Sequence, residues 1–204
     1  MDLAKLAISE EELRLVTDPG IILTKNAIIA KVYLLFGELS ELMQRDLILP
    51  AEVATISPKI SKGESYQGLP YVMLDYPRSF TVEHVLAIRT FFWWGNFFSV
   101  NLHIKGKYRD LCKRSLLRQF GFLAAGEYAI AVGEDEWQHH TGSEDYRRLD
   151  SMSADEFEHI VQTHSFVKIS KSFSLHQWQH MHSLLRGAQQ ELGRIIGPMT
   201  SQMT

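Results

Sequence analysis

The stretch Leu69–Lys105 reads LPYVMLDYPRSFTVEHVLAIRTFFWWGNFFSVNLHIK and carries the clearest strand pattern of the 204-residue chain. Between residues 97 and 105, large apolar side chains alternate with mostly polar ones, which is typical of a β-strand with one face on a core. The first set comprises Phe98, Val100, Leu102 and Ile104, and the second Phe97, Ser99, Asn101, His103 and Lys105. We therefore predict a strand over residues 97–105 with an apolar face and a mostly polar face.

Two further elements are predicted before this strand. Residues 71–76 are rich in β-formers and are followed by Pro77, which predicts a second strand. Ser79 or Thr81 then suits the N-cap of a helix running to about Phe92. Gly95 and Asn96 tolerate the backbone of a reversal, so the chain is expected to turn between the helix and the strand that begins at residue 97.

The ends of the chain predict long amphipathic helices. An acidic helix over residues 9–16 and a turn at residues 18–20 precede a long helix that begins near Thr24 and ends before Pro50. Near the other end, Ser174 and Gln177 have capping-box spacing and open a helix with Trp178 on its apolar side, which ends at residues 197–198.

The middle of the chain alternates between short helices and strands. We predict an edge strand within residues 51–68, a helix over residues 107–120, a strand over 128–132 and a polar segment to residue 150. Ser153 and Glu156 have capping-box spacing and open another helix, and residues 166–173 form a last strand.

These elements indicate an α+β fold. Several intervals between strands are too short for a helical crossover, so a mixed or mainly antiparallel sheet of about four to five strands is expected, packed against the long N-terminal and C-terminal helices. We predict one domain over residues 1–204: a mainly helical part at 1–50, the sheet with intervening helices at 51–173, and the C-terminal helix at 174–197.

Composition excludes several classes of protein. Hydrophobic residues make up 45% and charged residues 22% of the chain, as in ordinary globular proteins. The net charge of −3 argues against a general nucleic-acid binder. Cys112 is the only cysteine, so neither an intrachain disulfide nor a cysteine-based metal cluster can form.

The sequence favours a cytoplasmic protein that does not enter a membrane. The acidic N-terminus lacks a long apolar region, so no signal peptide is expected. The most apolar helical stretch, residues 27–36, is interrupted by Lys31 and is shorter than the ~20 residues of a transmembrane span.

No familiar catalytic motif is present, and we predict no metal ligands. His176 and His180 have a chelating spacing, but on a helix they face away from the apolar side that contains Trp178. A solvated surface explains this pair without a metal.

The polar face of the strand at residues 97–105 is the first candidate site. With side chains from the neighbouring segments and the paired indoles as walls, this face could line a pocket for a small polar or anionic ligand. The alternative is the solvent-facing side of a half-buried sheet, with the tryptophans in the core. The residues concerned are Tyr71, Asp75, Arg89, Trp93, Trp94, Ser99, Asn101 and His103.

A second candidate lies at residues 137–140, after the strand at 128–132 and a run of three acids. One histidine of Trp137-Gln138-His139-His140 could act as an acid, base or ligand, because sites often lie on loops at strand ends. Alternatively, Trp137 anchors the loop and both histidines are ordinary exposed residues.

Charge is distributed unevenly. Residues 105–118 hold six basic residues and one acid, and residues 127–158 hold ten acids and two arginines. The basic segment could contact phosphate or nucleic acid. The two segments could also complement each other within the fold or across a dimer, or form ordinary solvated faces.

Three functions are compatible with these observations. The first is a non-catalytic module that binds a partner, a second copy of itself or a small ligand, with Trp93 and Trp94 in the contact surface. The second is a small histidine-dependent, and in one version metal-dependent, hydrolase or transferase that uses His103, His139 or His140. The third is nucleic-acid or phosphate contact through residues 105–118. The sequence neither decides whether the protein is an enzyme nor indicates a cofactor.

Overall fold

Seven antiparallel strands form one sheet in the computed structural model, which describes residues 3–139 and 144–197. The strands lie side by side in the order β1-β2-β3-β4-β7-β5-β6. Their bounds are β1 Lys59–Tyr66, β2 Leu69–Phe80, β3 Val85–Trp93, β4 Phe97–Lys105, β5 Ala129–Ala131, β6 Tyr146–Arg148 and β7 Phe166–Ser174.

Six α-helices lie within the described residues. They are α1 Glu10–Thr17, α2 Pro19–Asp46, α3 Ala51–Ala54, α4 Lys107–Ala125, α5 Ala154–Thr163 and α6 Met181–Ile196, with short 3-10 turns at Leu3–Leu6, Leu149–Ser151 and Leu175–His180. The prediction of an antiparallel α+β fold with long N-terminal and C-terminal helices is confirmed, but four to five strands was too few.

One face of the sheet carries the main apolar core. Phe98 of β4 is fully buried and contacts the rings of Phe36 from α2 and Trp178, at centroid distances of 6.2 and 5.4 Å. The same face of β4 contributes Val100, Leu102 and Ile104, all fully buried. Helices α2, α4 and α6 pack on this face, so we call it the helix face.

A polar bridge crosses this apolar core from α6 to β3. The Gln189 side-chain amide donates a hydrogen bond of 2.8 Å to the Thr90 hydroxyl oxygen. Both residues are almost completely buried. The bond pairs the Gln189 amide nitrogen with the Thr90 hydroxyl, but Gln189 Oε1 is buried without a partner among the residues that the structure describes.

The helix predicted to run to Phe92 is wrong, because β2 and β3 form a hairpin there. Strand β2 continues through Pro77 to Phe80, with a register shift between Asp75 and Arg78. Thr81 closes the turn instead of capping a helix, since its hydroxyl and backbone both hydrogen-bond to His84. Strand β3 is buried on both faces, so its side chains do not alternate in polarity and the strand pattern is hidden.

Two further elements differ from the predictions. Helix α2 begins at Pro19 rather than near Thr24: Asp18 caps it by accepting a hydrogen bond of 2.8 Å from the Gly20 amide, and proline fits the first helical position. The segment predicted to be polar up to residue 150 contains the short strand β6.

Predictions from capping patterns and alternation hold elsewhere. The capping boxes at Ser153–Glu156 and Ser174–Gln177 are both formed. The strands predicted at 97–105 and 166–173 and the helix predicted at 107–120 are present. Residues 51–68 contain α3 and the edge strand β1.

Candidate functional site

The second face of the sheet, which we call the polar face, carries rows of polar side chains held in register. One row crosses four strands, with Asp75 of β2 opposite Arg89 of β3, Arg89 opposite Asn101 of β4, and Asn101 opposite Ser170 of β7. In the next row, His103 of β4 lies opposite Lys168 of β7. The polar residues in these rows have at most 6% of their surface exposed, apart from Arg89, whose side chain is 14% exposed.

This face is therefore not the solvent-facing side of a half-buried sheet. Residues 134–139, which we call the acidic segment, cover part of it and connect to it at several points. The His139 amide donates to the Tyr66 hydroxyl at 2.9 Å, and the Trp137 ring lies 5.5 Å from that of His103 and 6.0 Å from that of Phe80.

A buried ion pair holds one end of the polar row. The Arg89 guanidinium donates from Nε and Nη2 to the two carboxylate oxygens of Asp75, at 2.7 and 3.0 Å. Arg89 Nη1 also lies 3.3 Å from His139 Nε2. The two-bond geometry matches the planar guanidinium to the carboxylate, and it compensates part of the cost of burying both charges.

Glu136 is the centre of a second cluster. Its carboxylate accepts a hydrogen bond of 2.8 Å from Lys105 Nζ and lies 3.1 Å from His103 Nε2. Lys168 Nζ donates to the backbone carbonyl oxygens of Glu136 and Gln138, at 3.0 and 2.5 Å. Three residues of the sheet thus attach the acidic segment to the polar face.

Burial determines the protonation of this second cluster. Desolvation, and next the charge of Lys168, lower the pKa of His103 to about 4. The imidazole is therefore neutral at pH 7 and donates its Nε2–H to Glu136. Desolvation, and next the charge of Arg89, lower the pKa of Lys168 to about 7.

Aromatic side chains close the polar face at its β1 end. The Tyr66 ring contacts those of Tyr71, Phe91 and Trp93 at centroid distances between 5.2 and 6.1 Å. The Trp93 indole N–H donates to the Tyr66 carbonyl at 3.2 Å. This cluster fills the space beside the ion pair with ring surface.

Two buried polar atoms of the long row have no hydrogen-bond partner among the residues that the structure describes. They are Asn101 Oδ1 and Ser170 Oγ, in residues that are each 1% exposed. The Asn101 amide group donates to Ser99 Oγ at 3.0 Å and to the Arg89 carbonyl at 3.4 Å, which leaves its oxygen as the atom without a partner. Unsatisfied buried groups of this kind are rare and require an explanation.

Ser170 lies in the wall of an open cleft of about 640 Å³ at the β5, β6 and β7 end of the sheet. A volume of this size suits a small molecule. The cleft is lined by Glu127, Ala129, Tyr146, Arg147, Arg148, Ser151, Ser170, Lys171 and Ser172.

The lining of this cleft carries three basic side chains and one acidic one. Arg148 is paired with Asp150 and lies 3.7 Å from Glu127, and Arg147 donates to Glu156 at 2.8 Å. The side chains of these two arginines remain 54% and 42% exposed, so an anion in the cleft can still reach them.

The structure brings most of the predicted site residues together, but encloses many of them. Asp75, Arg89, Ser99, Asn101 and His103 share the polar face, and Tyr71 and Trp93 belong to its aromatic end. Trp137 and His139 approach from the acidic segment, whereas Trp94 packs on Phe92 of the helix face. His140 lies outside the described residues.

Four residues that sequence reasoning did not select are central to this region: Tyr66, Glu136, Lys168 and Ser170. A signal existed for the last two, because Lys168 and Ser170 alternate with Val167 and Ile169 in a predicted strand. None existed for Glu136, whose role depends on how the acidic segment folds back over the sheet.

Metal binding finds no support in the described ranges, 3–139 and 144–197. No group of three or more His, Cys, Asp or Glu side chains is arranged there to hold an ion. His176 and His180 are exposed and lie in a 3-10 turn, whose three-residue period does not align positions four apart. Cys112 is fully buried, and burial raises the pKa of its thiol to about 12.

A second depression, of about 800 Å³, lies along the outer surface of α4. It is formed by residues of this one helix: Asp110, Leu111, Lys113, Arg114, Leu117 and Arg118. We regard it as a shallow basic surface and not as a pocket, because no second element encloses it.

Comparison with known proteins finds no family model, no curated protein and no solved structure that matches this chain. The arrangement of the residues themselves is therefore the basis for any functional conclusion.

Proposed function

We propose that this protein is a non-catalytic binding module that holds a small anionic ligand in the cleft at the β5, β6 and β7 end of the sheet. The observation that carries this proposal is the 640 Å³ cleft with three basic side chains and one acidic side chain in its lining; Ser170, whose buried hydroxyl has no partner among the described residues, lies in its wall. This oxygen is buried as the structure stands, so a ligand atom would bond to it only after the Ser170 side chain turns toward the cleft, and that bond would remove the cost of leaving it unsatisfied.

The charge around the cleft supports an anion. Arg147, Arg148 and Lys171 outnumber Glu127 in the lining, and a guanidinium binds carboxylate or phosphate through two parallel hydrogen bonds. A ligand that carries such a group and a neighbouring hydroxyl or amide would contact Arg148 and Ser170 together. Small carboxylates and phosphate monoesters are the classes that fit.

The same lining supports a non-catalytic role. Neither a histidine nor a cysteine is among the described residues that form the cleft wall. Acid–base catalysis usually employs a group with a pKa near the working pH, within hydrogen-bond reach of the substrate.

The histidine-dependent hydrolase or transferase is the second candidate, and the His103–Glu136 pair is the observation in its favour. Two facts weigh against it. His103 is only 4% exposed beneath the acidic segment, and its lowered pKa of about 4 makes the imidazole a poor base.

Nucleic-acid or phosphate contact through residues 105–118 has less support. Lys105 and Lys107 pair with Glu136 and Glu52, and Arg109 pairs with Asp110. The remaining cations, Lys113, Arg114 and Arg118, form a small patch on α4. Affinity for nucleic acid that fell steeply with added salt would revive this function.

Ligand-dependent melting tests the preferred proposal. The full chain would be heated with inorganic phosphate, citrate, sugar phosphates, nucleoside monophosphates and small carboxylic acids, and any stabilising compound measured by calorimetry. Loss of one charged hydrogen-bond partner costs about 1.5–3 kcal/mol, so Arg148→Gln should weaken binding roughly 10- to 100-fold. Ser170→Ala should weaken it less, because a neutral bond is lost.

Arg45→Gln is the matched control. Arg45 is an exposed arginine paired with a neighbouring acid, Asp46, at 2.9 Å, and it lies outside the cleft. This variant should bind like the wild type. The proposal fails if no compound raises the melting temperature, or if Arg148→Gln and Arg45→Gln bind equally well.

A further inference from the structure

Helix α2 carries an exposed apolar stripe opposite the side that packs on the sheet. At 100° per residue, Leu23, Ala27, Ala30 and Leu34 lie within an arc of about 60°, and the buried Val32, Phe36, Leu39 and Met43 lie on the opposite side. Leu23 and Leu34 are 65% and 76% exposed. A helix at a protein surface normally presents charged or polar residues there.

The residue types of the stripe, and the spacing between them, read the same from either end. Leucine, alanine, alanine and leucine follow one another at steps of four, three and four residues, with Gly20 and Gly37 three residues beyond the two ends. A two-fold axis through the midpoint, between Ile28 and Ile29, would therefore place Leu23 opposite Leu34 and Ala27 opposite Ala30. Self-complementary patches of this kind form the interfaces of two-fold dimers.

We propose that a second copy of this chain packs antiparallel against the stripe, with the two α2 helices crossing at Ala27 and Ala30. The small side chains allow the helix backbones to approach closely, and the leucines enclose the crossing on both sides. The position where a Cβ on Gly37 would lie has no heavy atom within 4 Å, so this end of the stripe is open to a partner.

Further apolar side chains are exposed close to the stripe along the chain. Leu13, Leu15 and Val16 of α1, and Ile21 and Ile22 at the start of α2, are each 45–74% exposed. Burial of a large apolar side chain yields about 1.5–3 kcal/mol at ~25 cal/mol per Å², which corresponds to roughly 60–120 Å² per side chain. Leu23 and Leu34 supply roughly 120–240 Å² per chain, and side chains of α1 on the same side would have to extend the interface toward the ~800 Å² per partner of a standard one.

A lipid bilayer suits the same stripe less well. Helix α2 is long and apolar enough to cross a membrane by length and composition, but its second half packs against the sheet in this fold. Residues 1–31 hold four basic and five acidic side chains. Helices that lie on bilayers are usually rich in Lys and Arg on their polar face, which this segment is not.

Light scattering of the full chain between about 1 and 100 µM tests the dimer. We expect twice the mass of one chain, and Ala30→Glu, which places a charge at the crossing, should raise the dimer dissociation constant at least 100-fold. Val82→Glu is the control: Val82 is 90% exposed in the β2–β3 turn, outside the stripe, and this variant should remain dimeric. Circular dichroism would show that both variants are folded.

Oxidative cross-linking tests the direction of the pairing. Leu23→Cys and Leu34→Cys chains, prepared separately and then mixed, should form a disulfide dimer only in the mixture, while the buried Cys112 remains unreacted. A wild type that is monomeric at 100 µM, a dimer unaffected by Ala30→Glu, or each cysteine variant linking to itself would overturn the proposal. So would a monomer that binds vesicles containing anionic lipid through this stripe.

Discussion

The two faces of the sheet are both buried, but by different means. The helix face is covered by three helices through apolar contacts such as those of Phe98. The polar face is covered in part by the acidic segment, through ion pairs and hydrogen bonds of Arg89, His103 and Lys168. Apolar burial contributes directly to stability, whereas buried charges must first recover the free energy of their lost hydration.

This difference shows that a polar strand face does not have to be a solvent face. Residues 97–105 alternate as expected, yet the polar side chains of Ser99, Asn101 and His103 are at most 4% exposed. The helix face should therefore dominate stability, and the polar face should determine how stability responds to pH and to loss of a partner. Four experiments test this division.

Truncation of the helix face should have the largest effect. Phe98→Ala removes a fully buried ring that contacts Phe36, Phe92 and Trp178, and it should lower the free energy of unfolding by ~3–5 kcal/mol in urea titration. Phe97→Ala is the control on the other face, where the ring is only partly buried. An equal loss of unfolding free energy in Phe98→Ala and Phe97→Ala would contradict the view that the helix face dominates stability.

Breaking the ion pair between Asp75 and Arg89 should lower the free energy of unfolding slightly less than Phe98→Ala does. Asp75→Asn leaves the Arg89 guanidinium buried without its carboxylate, which should lower the free energy of unfolding by about 3 kcal/mol. In Asp75→Leu with Arg89→Met, neither charge remains, and most of the loss should be recovered. A double variant less stable than Asp75→Asn would show that the pair contributes net stability.

The free energy of unfolding should fall between pH 6.5 and 4, because His103 is buried on the polar face. The folded-state pKa of His103 is about 4, below its ordinary value of 6.5, so in this window the unfolded chain binds a proton that the folded chain does not. The contribution of His103 to stability should thus be complete above pH 6.5 and fall, on the order of 2 to 3 kcal/mol, as pH drops to 4, whereas the lowered pKa of Lys168, about 7, makes stability rise further with pH above 7. Urea titrations of His103→Gln should show a flatter profile, and an unchanged slope would contradict this assignment.

Truncation of Trp137, a half-exposed side chain over the polar face, should have the smallest effect on the free energy of unfolding. Trp137 is 48% exposed, and Trp137→Ala should lower the free energy of unfolding by about 1 kcal/mol, because only its contacts with Phe80 and His103 are lost. The His103 titration measured by NMR should move toward higher pH, since the ring becomes more hydrated. A loss as large as that of Phe98→Ala would show that the acidic segment is a core element.

Local patterns predicted the parts of the fold that depend on local interactions. The capping residues Ser153 and Ser174 and the alternation in residues 97–105 are such patterns, and their elements are present. The sequence of strand β3 does not alternate in polarity because the strand is buried on both faces, and β6 has only three residues. Neither strand has a periodic signal of its own.

The candidate site was predictable only in part. Strand register brings Asp75, Arg89 and Asn101 together, so two-residue alternation was enough to place them on one face. The contact of Glu136 with His103 joins residues 33 positions apart through an irregular segment, and no local pattern encodes it. The cleft beside Ser170 depends on three strands from separate parts of the chain.

The hydrogen bond between Gln189 and Thr90 favours one position of α6 along and around its own axis. Apolar packing alone would tolerate a shift of this helix by one turn, since leucine and isoleucine can occupy neighbouring hollows of the sheet. After such a shift, an amide and a hydroxyl would face hydrocarbon without partners, at about 1–3 kcal/mol for each group. This contact between two uncharged side chains, together with the hydrogen bond from the Tyr128 hydroxyl to Glu191, therefore disfavours a shifted position of the C-terminal helix.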